Sequence, residues 1–134
     1  MFRVPTGFVL SVVIPVYNVV DYIANCLFSV AAQDYPNVKV LMVDDGSTDD
    51  TYEVLLEIAS RDSRMKVLRA PAPLGPYGIR NLIIGMTQAP FIAIADADDW
   101  SHPQRFEHEL AALESSGGVA VFARHVRIAE GHMI

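Results

Sequence analysis

The sequence predicts an α/β fold in which a mostly parallel sheet has helices on both faces. Strand-like and helix-like apolar patterns alternate along the chain, and parallel strands need crossover connections that place helices over the sheet. The first strand-like run is apolar almost throughout, which is typical of a strand buried on both faces. The chain has 134 residues, 51 % of them hydrophobic and 19 % charged. This length and balance suit a single core.

The first predicted elements are a strand, a helix and a second strand. Phe8 to Ile14 is a nearly unbroken run of apolar and β-branched residues that Pro15 ends, and it predicts the first strand. Apolar residues then recur at helical spacing and predict a helix from about Asp21 to Gln33. Val38 to Val43 predicts the second strand.

The alternation continues to the end of the chain. Asp50 and Glu53 have the spacing of a capping box, which predicts the start of the second helix. The later strands and helices are predicted at Met65 to Arg69, Ile79 to Met86, Phe91 to Ala95, Pro103 to Gly117 and Val119 to Ile128. The segment from Ala70 to Gly78 holds three prolines and two glycines, which excludes regular structure and predicts a loop that covers a ligand.

Charge and cysteine content exclude several classes of protein. Ten Lys and Arg against 16 Asp and Glu give a net charge of −6, which disfavours attraction to nucleic acid or anionic lipid. The longest apolar runs fall well short of the ~18 residues that span a bilayer, so we expect no membrane span. Cys26 is the single cysteine, and no secretory signal pattern is recognised. We expect a cytoplasmic location, which includes the cytoplasmic face of the membrane.

Two acidic loops follow predicted strands. Asp44 and Asp45 come after the second strand, and Asp96, Asp98 and Asp99 come after the fourth. Ligands of open α/β sheets bind beyond the carboxyl ends of the strands, so we expect these five carboxylates to gather at one edge. Carboxylates in such a group need a cation or a hydrogen-bond donor. Asp96 and Asp98 offer the hard oxygen ligands that suit Mg²⁺ or Mn²⁺, with phosphate oxygens completing the shell.

The acidic residues also have structural interpretations. An Asp-Gly pair such as 45–46 is common in tight turns. Asp99 or Ser101 can cap the helix that follows, and the pair at 49–50 suits the positive end of a helix dipole. We favour a functional site because both acidic loops directly follow a buried strand.

Four segments, in their order and spacing, together resemble the donor-binding half of glycosyltransferase family 2, which has the GT-A fold. They are Val12 to Asn18, Val43 to Asp49, Ile79 to Asn81 and Ala95 to Asp99. The match covers about residues 9–105. The resemblance implies a Rossmann-like half-domain that binds a nucleoside diphosphate sugar, a UDP-sugar, through Mg²⁺ or Mn²⁺. It also implies transfer of the sugar, with inversion, to the hydroxyl of a glycan, lipid or polysaccharide precursor.

The resemblance implies a nucleotide site with a defined set of residues. They are Pro15, Val16, Tyr17, Asn18, Asp44, Asp45, Gly46, Arg80, Asp96 and Ala97. By this resemblance Asp45 accepts a hydrogen bond from the imide N–H of the base, and Asp44 supports the pocket. An ionised carboxylate suits uracil, whose N3–H is a donor. Tyr17 either stacks on the base or closes the edge of the core.

The phosphate side of the implied site contains the metal ligands. Asp98 coordinates the metal on the diphosphate, and Asp96 contacts the ribose or the water shell of the metal. Arg80 approaches the phosphates or the base, or is a structural surface arginine. The family places its catalytic base in a later acceptor half, for which we find no segment, so we expect the domain at 1–134 to be truncated at its C-terminus.

Rival hypotheses come from other classes of protein. A noncatalytic nucleotide-binding or protein-interaction module would keep the half-fold and expose apolar surface that favours self-association. A receiver-like domain needs its acidic pair after the first strand, where this chain has Pro15 to Asn18. A nucleotidyltransferase would need a glycine-rich basic loop at the same place.

Overall fold

A computed structural model describes residues 9–121 and the backbone of 128–129 and 132–133. The elements in chain order are β1 (Leu10–Val16), α1 (Ile23–Ala31), β2 (Val38–Asp44), α2 (Thr51–Arg61), β3 (Met65–Arg69), α3 (Gly75–Met86), β4 (Phe91–Ile94), α4 (Arg105–Ser116), β5 (Ile128–Ala129) and β6 (His132–Met133). The predicted alternation of strands and helices is confirmed over β1 to α4.

The four longer strands form one parallel sheet in the order β3-β2-β1-β4. Val16 at the end of β1 lies opposite Asp44 of β2, and Asp44 lies opposite Arg69 at the end of β3. These three residues therefore form one row across the carboxyl edge of the sheet. The short strands β5 and β6 pair antiparallel as a separate sheet.

Helices pack on both faces of the parallel sheet, as predicted. On one face α1, α2 and α4 bury Leu27, Leu55 and Phe106, all 0 % exposed, against β1 and β2. On the other face α3 buries Ile79 and Ile83. Successive residues of a strand point to opposite faces, so the uninterrupted apolar run of β1 supplies both cores. Both faces of the sheet are therefore covered by packed side chains below its carboxyl edge.

β1 continues through Pro15, where we had predicted its end. Alternate residues of a parallel strand bond to opposite neighbours, and Ala95 N donates to Val13 O on the β4 side. The backbone nitrogen of Pro15 faces the same side as Val13 O, toward β4. β4 ends before it reaches Pro15, since its last residue paired with β1 is Ile94, opposite Val13. The missing N–H of Pro15 therefore breaks no ladder bond, and the strand reaches Val16.

α3 begins at Gly75, four residues before the predicted start at Ile79. Pro76 lies in the first helical turn, where a backbone N–H has no partner within the helix, so proline is tolerated there. Gly75 has a φ of +71°, a conformation that glycine adopts without strain. The irregular segment is therefore confined to residues 70–74, and the prediction that 75–78 are non-helical is wrong.

α2 starts at Thr51 with Asp50 as its N-cap residue, as the spacing predicted. The side chain of Asp50 makes no capping bond, whereas Asp49 Oδ1 accepts a hydrogen bond of 2.9 Å from Thr51 N. The predicted start of α4 is wrong: α4 starts at Arg105 with Gln104 as its N-cap residue, so neither Pro103 nor the earlier candidates hold the predicted positions. The start of α4 depends on a turn that the apolar pattern does not show.

Gln33 supplies the cap of α4 from the end of α1. Its Oε1 accepts a hydrogen bond of 3.1 Å from Phe106 N, and its Nε2 donates to His102 O at 2.7 Å and to Ser29 O at 3.2 Å. Gln33 is 7 % exposed. Its carboxamide therefore joins α1 to the segment that leads into α4.

Replacing Gln33 with methionine is expected to lower the free energy of unfolding by about 2 to 4 kcal/mol, because it leaves buried backbone donors and acceptors without partners. Urea denaturation measures this loss. Gln88→Met, at an exposed position after α3, is the matched control and should stay within about 0.5 kcal/mol of the wild type. Equal stability of the two variants would contradict the bridging role.

The last predicted strand is not found as predicted. Residues 119–121 form no strand, 122–127 lie outside the described residues, and only Ile128 belongs to a strand, β5. Across the described ranges, no helix is long and apolar enough to cross a membrane.

Candidate functional site

The loops after β1 and β2 are fastened together by Asn18. Asn18 Oδ1 accepts a hydrogen bond of 2.8 Å from Thr48 N, and Asn18 N donates to Ser47 Oγ at 3.0 Å. The residue has a φ of +48°, which asparagine tolerates better than most side chains. Its carboxamide thus holds the shape of the loop edge, beside the 57 % exposed side chain of Tyr17. That exposure favours a ligand-facing Tyr17 over one that closes the core.

Asp44 is a buried carboxylate with unequal oxygens. Oδ2 accepts hydrogen bonds from Gly46 N at 3.2 Å, Ser47 N at 3.1 Å and Arg69 Nε at 3.3 Å. Oδ1 is buried and has no hydrogen-bond partner among the described residues. A buried carboxylate oxygen without a donor is costly, so this atom is suited to accept a hydrogen bond from a ligand.

Gly46 gives the turn after β2 its shape. Its φ of +88° lies in the region that favours glycine, and its N–H points back to Asp44. The Asp-Gly pair is therefore a tight turn, and that turn also serves the carboxylate that precedes it.

Asp45 caps helix α3. Its Oδ1 accepts a hydrogen bond from Leu74 N and its Oδ2 accepts one from Gly75 N, both at 2.9 Å. These N–H groups are donors that a helix leaves without partners at its start, and a carboxylate also suits the positive end of the helix dipole. Both oxygens of Asp45 are thus engaged, in contrast to those of Asp44.

Arg69 completes the row at the end of β3 and was missed by the sequence analysis. Its guanidinium lies 4.0 Å from the centroid of the Tyr52 ring on α2, and its Nε contacts Asp44. The side chain of Arg69 is 51 % exposed. A search of every strand end for charged residues, rather than for acidic ones alone, would have found it.

Arg80 pairs with the first carboxylate of the loop after β4. Its Nη2 donates to Asp96 Oδ1 at 2.7 Å, and its guanidinium lies 5.3 Å from the Tyr77 ring centroid. The side chain of Arg80 is 21 % exposed and its Nε is buried without a partner among the described residues, whereas the side chain of Asp96 is 57 % exposed. Arg80 is therefore part of this edge through its contact with Asp96, and Asp98, two residues further along the loop, is exposed.

The five carboxylates lie at one edge of the parallel sheet, as expected, and there they form two groups. Strand β1 lies between β2 and β4, and strands are about 4.8 Å apart, so the two acidic loops are separated by about 10 Å of sheet. Each group has its own arginine, Arg69 for Asp44 and Arg80 for Asp96. Positive charge at this edge is supplied by the chain itself.

Asp96 and Asp98 fit a divalent cation only in part. Among the described residues no three His, Cys, Asp or Glu side chains are placed to hold a metal ion together. Mg²⁺ is commonly bound through one or two carboxylates plus the phosphates of a substrate. The chemistry of this donor pair therefore fits a metal that arrives with a diphosphate, and Ala97 between the two is buried.

Cys26 is a buried residue of α1 that contacts the acidic loop after β4. Its Sγ donates to Asp96 O at 3.4 Å, and the side chain is 1 % exposed. Burial, followed by the charges of Asp99, Asp98 and Asp96, raises the pKa of the thiol to about 12. The thiol is protonated at neutral pH and has a structural role.

Two large apolar side chains, from α1 and from the segment after β4, are exposed next to each other. Phe28 on α1 is 60 % exposed and Trp100, after β4, is 64 % exposed. They line a shallow groove together with Ala32 and Pro103. The self-association that we expected would need a surface of this kind.

The family model for glycosyl transferase family 2 matches residues 11–132. An uncharacterized glycosyltransferase of Haemophilus influenzae is 33 % identical over 75 % of this chain and 40 % of its own length. Glycosyltransferase GlyG of Streptococcus pneumoniae is 34 % identical over 67 % of this chain and 30 % of its own length. The chain thus spans less than half the length of these curated relatives.

Solved structures with the same fold are GT-A glycosyltransferases. TarS 1-349 of S. aureus in complex with UDP-GlcNAc superposes with a TM-score of 0.71 and 30 % identity, over 80 % of this chain and 31 % of that chain. The mannosyltransferase PcManGT of Pyrobaculum calidifontis, in complex with GDP-Man and Mn²⁺, gives a TM-score of 0.73. At 22 % identity it is similar in fold, over 83 % of this chain and 34 % of that one.

Proposed function

This chain belongs to glycosyltransferase family 2, and from that premise we propose that it binds the nucleotide-sugar donor of a glycosyl transfer reaction. The donor is a UDP-sugar, and the sugar passes with inversion to a hydroxyl of a glycan, lipid or polysaccharide precursor. We place the protein in the cytoplasm, where activated sugars of this kind would reach it. These two relatives are about twice as long as this chain, and we propose that the acceptor site and the catalytic base lie in the part of such enzymes that this chain does not cover.

The observation that carries the proposal is the unpartnered Oδ1 of Asp44. The imide N3–H of uracil is a donor, and a bond from it to an ionised carboxylate is stronger than one between neutral groups. Asp45 accepts one hydrogen bond on each oxygen and Asp44 Oδ1 accepts none from the described residues, so in place of the roles that the resemblance implies we propose Asp44 for base recognition and Asp45 for the support of the pocket. The 30 % identity to TarS, crystallised with UDP, supports this choice of base.

The base would enter beside Tyr17. Oδ1 of Asp44 is buried, and Tyr17 follows Val16, the neighbour of Asp44 in the row. The exposed Tyr17 ring can rotate to admit the base and then stack on it. Pro15 and Val16 would form the bottom of the base pocket, because both belong to β1. The hydrogen bond between Asn18 and Thr48 would hold the two adjoining loops together.

The phosphates would lie at the loop after β4. Asp98 and Asp96 would hold Mg²⁺ or Mn²⁺, which when bound stabilises the charge of the leaving diphosphate as a Lewis acid. Arg80 already lies beside Asp96, and its unpartnered Nε is a further donor for a phosphate oxygen. In this proposal the loops after β1 and β2 hold the base of the donor, and the loop after β4 together with Arg80 holds the diphosphate.

Isothermal titration of the chain with UDP, with and without Mn²⁺, tests donor binding. We expect saturable heat that is stronger with Mn²⁺ and weaker for CDP, because cytosine has no N3–H. No heat from UDP under either condition would overturn the proposal. If the protein is a noncatalytic nucleotide-binding module, the same heats of binding are expected. An assay of sugar transfer from donor to acceptor with the complete protein separates the two hypotheses, because only the enzyme transfers the sugar.

A further inference from the structure

We propose that Arg105 is a positioning residue for the metal ligands, which acts by holding both ends of the loop after β4. This loop, residues 95–101, carries Asp96 and Asp98 and lies between β4 and the segment that leads into α4. The inference rests on the proposed function of the site, and it adds a residue of α4 that neither the acidic loops nor the resemblance indicated.

The guanidinium of Arg105 contacts the chain just before the loop and again at its last residue. Nη2 donates to Ile94 O at the end of β4 at 2.9 Å, and Nη1 donates to Ser101 Oγ at 3.1 Å. Ala95 N donates to Val13 O of β1, and the carbonyl of the same trans peptide unit, Ile94 O, points away from β1. One side chain therefore joins the two ends of the loop.

The guanidinium is itself held in one orientation. Its Nε donates to Glu109 Oε1 at 3.0 Å, and its carbon lies 5.2 Å from the centroid of the Phe106 ring, which is fully buried. The side chains of Arg105 and Glu109 are 24 % and 16 % exposed. The three nitrogens thus have three different acceptors, in a planar fork that lysine lacks.

Helix α1 fixes the inner side of the loop. Ser29 Oγ accepts a hydrogen bond of 3.0 Å from Ser101 N, and Asp96 O accepts one from the thiol of α1 described above. Ala95 and Ala97 are buried, whereas Asp96 and Asp98, which alternate with them, are exposed. Both carboxylates therefore lie on the outer side of a backbone that α1 holds from within and Arg105 holds at its ends.

This support matters for a cation more than for the base. Mg²⁺ demands a near-ideal octahedral shell, and two carboxylates from one short loop can serve the same ion only while the backbone keeps their spacing. Groups outside the ligand shell contribute to metal affinity by orienting the ligands. We therefore expect Arg105 to affect the part of UDP binding that depends on the metal.

The charge of Arg105 alone would have the opposite effect. A cation near Asp96 and Asp98 repels a metal ion, so removal of the charge without any change in the loop would strengthen Mn²⁺ binding. Weaker binding in a variant that lacks the guanidinium is thus a sign of positioning.

Isothermal titration with UDP, with and without Mn²⁺, gives the factor by which Mn²⁺ strengthens binding in each protein. We expect Arg105→Met to lower this factor by about three- to tenfold and to leave the metal-free affinity within about twofold of the wild type. Arg105→Lys keeps the charge without the fork, so its factor should stay below that of the wild type. Arg61→Met breaks an exposed pair with Glu57 on α2 and should leave the factor unchanged.

Ser101→Ala provides a second variant that leaves the charge of Arg105 in place. It removes one of the two anchors of the loop, and we expect it to lower the factor in the same direction and by less. Because it deletes a single hydroxyl, it also decides the matter if Arg105→Met fails to fold by circular dichroism.

The outcomes separate this inference from the proposed function. A factor that falls in Asp98→Asn but stays within about twofold of the wild type, or rises, in Arg105→Met and Ser101→Ala overturns the role of Arg105 alone. A metal-free affinity that falls as much as the affinity with Mn²⁺ also overturns it, because the damage is then general. A wild type whose UDP binding Mn²⁺ does not strengthen overturns the proposed metal site together with this inference.

Discussion

Asp44→Asn is expected to weaken UDP binding by about 1.5 to 3 kcal/mol, or about 10- to 150-fold in Kd, as for the loss of a hydrogen bond to a charged group. An asparagine whose oxygen replaces Oδ2 in accepting from Gly46 N and Ser47 N turns its amide NH₂ toward the imide donor. Two donors would then face each other where the wild type pairs a donor with an acceptor. Isothermal titration measures the loss.

Asp50→Asn is the matched control for this variant. It makes the same chemical change at an exposed position nearby, where the side chain makes no capping hydrogen bond. We expect its affinity for UDP to equal that of the wild type. If Asp44→Asn binds UDP as well as Asp50→Asn while both remain folded by circular dichroism, Asp44 does not recognise the base.

Asp98→Asn is expected to remove the gain in UDP affinity that Mn²⁺ provides. We expect that gain to be at least about tenfold in the wild type, or about 1.4 kcal/mol. An amide is a weaker ligand than a carboxylate for a hard cation, and Asp96 is already paired with Arg80. Titrations with and without Mn²⁺ measure the gain in each protein.

Binding without metal separates this effect from damage to the fold. Asp98 is exposed and lies on the far side of β1 from Asp44, so Asp98→Asn should bind metal-free UDP as the wild type does. Glu107→Gln, exposed in the first turn of α4, removes the same charge and should keep the gain from Mn²⁺. An undiminished gain in Asp98→Asn would refute its role as a metal ligand.

The sequence predicted which helices and strands form more accurately than it predicted the residues at which they begin and end. Apolar periodicity located β1 to α4 because it reports which residues face a core. It could not show that Pro15 lies within β1, since that depends on how far the neighbouring β4 extends. Nor could it show that α3 starts at Gly75, because the stabilising carboxylate, Asp45, is 30 residues away in the chain.

The rule that ligands bind beyond the carboxyl ends of the strands predicted where the candidate site lies, but not the contacts within it. Asp44 and Asp45 are adjacent and chemically identical, and only the start of α3 shows which one is engaged on both oxygens. Arg69 lies next to Asp44 because of the register between β2 and β3, and no local sequence pattern shows that register. The separation of the acidic loops likewise follows from strand order.

The cap of α3 by Asp45 has a mechanical consequence. Asp45 lies in the turn after β2, whose backbone N–H groups donate to Asp44. Asp45 also binds the first residues of α3, and this helix carries Arg80 about one turn after its start. A single side chain therefore couples the turn after β2 to the helix that carries Arg80. A shift of that turn would be transmitted to α3, so if the donor binds as proposed, the distance between the base contact and the diphosphate contact is held nearly constant.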